Sequence, residues 1–268
     1  MGTVIPFWHT VRYLLAVLML GLVPLLSACD GSDETSGKNE VVVLGMIHDG
    51  FLSSKRYSLD TLRTLIREID PDYVLAEIPP NRLEAALTGF RETGEVTEPR
   101  VSVFPEYRDV LIPLTREMDF EIIGVAAWTR EMADYRSKMR RELRNDPAMA
   151  HAWDEYEKAD EQFVEDLAGR GDDPRFIHTP EYDEITRRAV APGEYYFNDA
   201  LGPGGWRNIN EAHMALISRA LDRHQREGKR VLVMFGASHK YWFLDELKKR
   251  DDIVMLDPLE FIGRVAPN

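Results

Sequence analysis

Two stretches decide the fold: VVVLGMIH, Val41 to His48, and VLVMFGASH, Val231 to His239. Each is an apolar, β-branched run that ends in Gly-x-x-His, and each reads as a buried strand turning sharply at its carboxyl end. Downstream of the first, Asp49-Gly50 marks a turn. Ser58 then suits a helix N-cap, and Leu59, Leu62, Leu65, Ile66 and Ile69 follow at helical spacing. Asp70-Pro71 stops that helix, and Tyr73 to Ile78 is a second strand ended by Pro79-Pro80. This strand-helix-strand order specifies a parallel pair.

The second stretch is framed in the same way. An amphipathic helix over Asn208 to Glu227 carries Met214, Ile217 and Leu221 on one stripe, and Gly228 closes it. Arg230 to Phe235 is a strand, His239 to Arg250 a helix and Ile253 to Leu256 a last strand. Between the frames, Glu106 to Met118 reads as a helix kinked at Pro113, and Glu121 to Ala127 as a strand. Thr129 to Ala168 is charged, with apolar residues at helical spacing, and predicts one or two long amphipathic helices. Ala191 to Trp206, APGEYYFNDALGPGGW, reads as an aromatic loop: a lid over a site, or a connection packed on the core. The expectation is an α/β fold: an α/β/α layered domain with a mixed, mostly parallel sheet and an inserted helical segment.

With 268 residues, 44% of them hydrophobic, the chain is large enough for one sizeable core. Its net charge of -13 argues against nucleic acid as a partner. Residues 1–29 read as a bacterial lipoprotein signal peptide: one charge, Arg12, then an apolar run from Tyr13 to Leu26, then Leu26-Ser27-Ala28-Cys29. Cys29 would carry the lipid, and residues 30–40, DGSDETSGKNE, would form a solvated tether to a domain over 41–268. That places the domain on a bacterial cell membrane, facing the periplasm or exterior. Cys29 is also the sole cysteine, so disulfides, thiolate metal ligands and thiol nucleophiles drop out.

His48 and His239 each sit just past a strand's carboxyl end, where α/β sheets bind ligands. Glu77 ends the strand between Pro71 and Pro79, and a carboxylate there is costly to bury without a partner. Two imidazoles and a carboxylate suit a divalent transition metal, and without one they suit acid–base chemistry. Arg82 is placed to pair with Glu77 or to stabilise an oxyanion. Arg207, Asn208, Asn210 and His213 gather at a helix start, with Asn210 and His213 on one face. His151, His178 and His224 lie in charged stretches and read as surface residues. There is no Walker loop, G-x-G-x-x-G, H-E-x-x-H or G-x-S-x-G.

These residues resemble the TraB/GumN/Tiki family, within a wider group that includes erythromycin-esterase-like and ChaN-like domains. The carriers are Gly45-Met-Ile-His48, Glu77 with Arg82, Arg207-Asn208, and Gly236-Ala-Ser-His239. The resemblance implies a metal-dependent hydrolase or protease, with His48, Glu77 and His239 as metal ligands (Mn, Co or Zn). Arg82, Arg207, Asn208 and His213 would assist. It departs at the Arg-Asn element, where Met214-Ala215 comes late, so either Asn208 or Asn210 takes the family position. The expected substrate is a peptide or small molecule. The alternative is a lipoprotein that binds haem or a small ligand in the same pocket.

Overall fold

The structure, a computed structural model, describes residues 37–265. The leader over 1–29, Cys29, and most of the expected tether lie outside the described residues. In chain order the first half runs β1 (Asn39–Met46), α1 (Leu59–Ile69), β2 (Tyr73–Ala76), α2 (Pro80–Thr93), a π-helical turn (Glu106–Leu111), α3 (Ile112–Leu114) and β3 (Glu121–Gly124). A helical insertion follows: α4 (Arg130–Asn145), α5 (Ala150–Leu167), α6 (Pro174–Ile177) and α7 (Pro180–Phe197). The chain closes with α8 (Trp206–Arg223), β4 (Arg230–Gly236), α9 (Lys240–Leu247), β5 (Ile253–Met255) and α10 (Pro258–Val265).

The strands form one sheet in the order β3-β2-β4-β1-β5, and every pairing among them is parallel. The two Gly-x-x-His strands are therefore central neighbours. Gly45 lies opposite Phe235, and Met46 opposite Gly236. Both motifs leave the sheet at one edge, almost in step.

Alternation along these strands builds two cores. Val42, Leu44, Met46, Leu232 and Met234 pack with Leu62 and Ile66 of α1, Phe90 of α2 and Phe261 of α10. Val41, Val43, Val231, Val233 and Phe235 face Ile217 and Leu221 of α8 and Phe243 and Leu247 of α9. With both faces covered, an unbroken apolar run is what the strands require. Ser58 caps α1 as expected, its Oγ accepting the Thr61 N–H at 3.1 Å.

Four readings change. Asn39 and Glu40, assigned by composition to the tether, open β1. Asn39 is buried and holds the Lys229 N–H at 3.0 Å, and Glu40 pairs with Arg230 at 2.7 Å. The kinked helix before β3 is a π turn. Pro113 has no N–H to give the Asp109 carbonyl, and the Arg63 guanidinium takes that acceptor at 2.5 Å. Ala191 to Phe197 is helical despite Pro192 and Gly193, because α7 packs along α5, where Trp153 and Phe197 bury together. The fourth change is His178, expected on the surface and found buried.

His178 Nε2 accepts the Gly45 N–H at 3.0 Å, and its Nδ1 donates to the Pro174 carbonyl at 2.6 Å. Both bonds need the neutral ring. Burial, then the nearby Lys240 charge, lowers its pKa from 6.5 to about 3. The unfolded ring binds its proton first. The stability from this site is thus complete above pH 6.5 and drains as pH falls toward 3. The slope is about 1.4 kcal/mol per pH unit. Between pH 6.5 and 5, the wild-type melting temperature should fall faster than that of His178→Gln. Parallel falls in the two proteins would refute this.

Candidate metal centre

The glycines of the two motifs explain their own placement. A Cβ on Gly236 would lie 2.7 Å from His48 Nε2, so the second motif's glycine makes room for the first motif's histidine. A Cβ on Gly45 would lie 2.9 Å from the Ala237 Cβ, so the first glycine makes room for the second motif. His48 itself has φ +48°, a left-handed backbone uncommon for a side chain of this size.

Glu77, His213 and His239 form a buried cluster whose ligand atoms lie within 4.8 Å of one another, an arrangement consistent with binding a divalent metal. His48 stands beside it, with Nε2 4.0 Å from Glu77 Oε2. The His48 side chain is 35% exposed, against 10% for Glu77, so solvent reaches the cluster from the His48 side.

Hydrogen bonds assign each atom's role. His239 Nδ1 meets Asn210 Oδ1 at 2.6 Å, while Asn210 Nδ2 donates to the Trp206 carbonyl at 2.8 Å. The amide oxygen can only accept, so Nδ1 carries the proton and Nε2 is a bare lone pair. His48 Nδ1 meets Glu106 Oε1 at 2.6 Å, and with the proton on Nδ1 its Nε2 is bare as well. Such outer acceptors fix the tautomer of a metal-ligating histidine. His213 is the reverse case. Its Nδ1 accepts the Ala127 N–H at 2.9 Å, so in the neutral ring Nε2 carries the proton. That Nε2 is buried and unpartnered, a donor held for something the protein itself does not supply. Glu77 Oε2 accepts the Gly236 N–H at 2.8 Å.

For His213 and His239 the protonation states agree. Burial, then the charges of His213, His48 and Arg136, pushes His239 well below its usual range, and burial lowers His213 to about 4. Both rings are neutral at pH 7. For His48, burial pulls its pKa down, but Glu106, Glu77 and Asp49 together raise it. Burial raises Glu77 against the pull of His48 and the Gly236 N–H. Trp206 stacks on the His239 ring, centroids 4.7 Å apart and 18° between planes, and donates Nε1–H to Tyr241 Oη at 2.9 Å.

The structure thus gathers His48, Glu77, His213 and His239. It does not bring the expected arginines there. Arg82 sits in the first turn of α2, half-exposed, 3.7 Å from Glu98. Arg207 is half-buried and pairs with Asp199 at 3.2 Å and Glu194 at 3.6 Å. Asn208 ties the glycine turn to α8, donating to the Gly202 carbonyl at 2.8 Å and accepting from Asn198 at 3.0 Å. Of the two asparagines, Asn210 is the one at the site. Sequence reasoning missed Glu106, which is fully buried, and the stacking role of Trp206. No helix among the described residues is long and apolar enough to cross a membrane. Comparison of the chain with protein-family models, with curated proteins and with solved structures finds no match.

Proposed function

We propose that the protein is a membrane-anchored, extracytoplasmic, metal-dependent hydrolase, acting on a peptide or small-molecule bond and held at the bacterial membrane by lipid on Cys29. One observation carries the catalytic part. His239 offers an Nε2 lone pair beside Glu77, as His48 does in its neutral form, each ring fixed from behind by an acceptor, while His213 carries an unpartnered N–H in the same cluster. His48, Glu77 and His239 would hold the metal, and their donor set suits Mn, Co or Zn. Such a cation supplies Lewis acidity, polarising a carbonyl and acidifying water.

The chain's own groups do the rest. The His213 Nε2–H donates to the carbonyl oxygen as it gains negative charge. Glu77, through an oxygen left beside the cation, would accept the proton of the attacking water and pass it to the leaving group. Arg82 and Arg207 are too far engaged with Glu98, Asp199 and Glu194 to share in this. The leader and its Leu26-Ser27-Ala28-Cys29 end support the anchor.

Metal content by mass spectrometry tests the reading on wild type, His48→Ala and His239→Ala. One equivalent of transition metal in wild type, lost in both variants, is expected, together with hydrolysis in a peptide and ester screen. No metal after loading with Zn, Mn and Co overturns it. A Soret band on adding haem, lost in the same variants, would establish the haem-binding alternative instead.

A further inference from the structure

Beside the metal centre lies a second feature, built by the helical insertion. A cavity of about 210 Å³ opens between α4, α5 and α7. This exceeds the roughly 150 Å³ of an engineered cavity that holds benzene. Its walls include Trp153, Tyr156, Phe197 and Trp206, with Arg136 and Arg140 of α4 one helical turn apart. Gly193 shapes it: a Cβ there would lie 3.1 Å from the Tyr156 ring, so a glycine inside α7 lets that ring approach.

The two arginines are the unusual part. Arg140 lies over Trp153 and Tyr156, 5.6 and 5.7 Å from their centroids, and Arg136 lies 5.7 Å from the Trp128 ring. Both are half-buried, and neither forms an ion pair among the described residues, although the chain carries an excess of acidic groups. Arg136 Nε is buried without a hydrogen-bond partner. Asp160 is the one carboxylate in the lining; it is exposed and pairs with neither arginine. An aromatic-walled cavity with two unmatched guanidiniums fits an anion carried on a ring, because a guanidinium binds carboxylate through a planar fork and aromatic walls accept a ring by stacking.

We propose that this cavity binds an aromatic carboxylate, the ring against Trp153, Tyr156 and Phe197 and the carboxylate on Arg136 and Arg140. Trp206 and Ser238 also line it. Trp206 is the residue stacked on His239, and Ser238 precedes it in the chain, so the cavity and the metal centre share a wall. Resting on the hydrolase reading, this cavity selects the substrate: the bond to be cut belongs to a molecule whose aromatic, anionic portion is held here.

Binding of 3-phenylpropionate to the purified protein, by calorimetry and tryptophan fluorescence, tests this, with 3-phenylpropionamide as the neutral isostere. The metal-free protein and His48→Ala serve as hosts beside wild type. Saturable binding at one site per chain is expected in all three hosts, about tenfold tighter for the carboxylate than for the amide. Arg136→Gln with Arg140→Gln should abolish that preference at an unchanged melting temperature, and Ala189→Trp should block both ligands by filling the cavity. Equal affinity for acid and amide in wild type would overturn the assignment. So would absence of binding, or binding that disappears with metal or with His48, since the anion would then sit on the metal centre. Because no host needs to hydrolyse anything, failure of the hydrolase reading leaves this result standing, and the reverse holds too.

Discussion

Glu77→Gln is expected to lower metal affinity by at least about tenfold while leaving the metal-free protein as stable as wild type, or more so. The amide keeps an oxygen for the Gly236 N–H, so the turn at the second motif stays held. What it removes is a buried negative charge. Burial raises the Glu77 pKa, so the ionised carboxylate is paid for by the fold at neutral pH. In linkage terms, the folded state loses stability as pH rises through the unfolded pKa, and that loss continues up to the raised folded one. The glutamine does not titrate and escapes it. Metal titration and thermal melts with a chelator present check both halves. A metal-free Glu77→Gln melting well below metal-free wild type would show that the carboxylate is structural, and would remove it from the site.

The second large effect lies one residue beyond His239. Lys240 is 2% exposed and forms an ion pair with Asp183 of α7, tying the insertion to the second motif. Burial pushes Lys240 down and Asp183 up, each against the attraction of the other. Both directions say that desolvation outweighs the pairing. Breaking the pair from one side should therefore be costly, and removing it from both sides cheap. Asp183→Asn leaves a buried, uncompensated ammonium, and a loss of about 3–5 kcal/mol is expected. Asp183→Leu with Lys240→Met should fall within about 1.5 kcal/mol of wild type. Chemical denaturation of the variants measures this. A double variant no more stable than Asp183→Asn would mean that the pair itself contributes net stability.

The central strands were legible because they are buried on both faces, which leaves an apolar run no polar interruption can disguise. Glu77 was legible for the opposite reason, a charge where the pattern forbids one. His213 could be placed because helical spacing put it on the face that carries Met214 and Ile217. Glu106 could not. Its partner lies 58 residues away, and in PEYRDV it looks like any helical surface glutamate. Arg82 and Arg207 misled because their nearness to the site in sequence is undone locally. One turns outward in the first turn of α2, and the other is engaged by Glu194 and Asp199. The Ala191 to Trp206 stretch misled through composition: Pro192 and Gly193 weaken an isolated helix, but packing between α5 and α7 overrides them.

The reciprocal clearances at Gly45 and Gly236 bear on how such a chain can change over generations. Each glycine is required by the other motif, not by its own. A mutation that adds a methyl group at position 45 collides with Ala237, and one at 236 collides with the His48 ring. Neither phrase can drift alone. A shrinkage at 237 does not free position 45, because the residue-237 Cα stays 3.0 Å from the added group and Ile177 3.2 Å, and at 236 no partner can shrink without surrendering the histidine. The first is locked by backbone whatever stands at 237, and the second for as long as the site is kept.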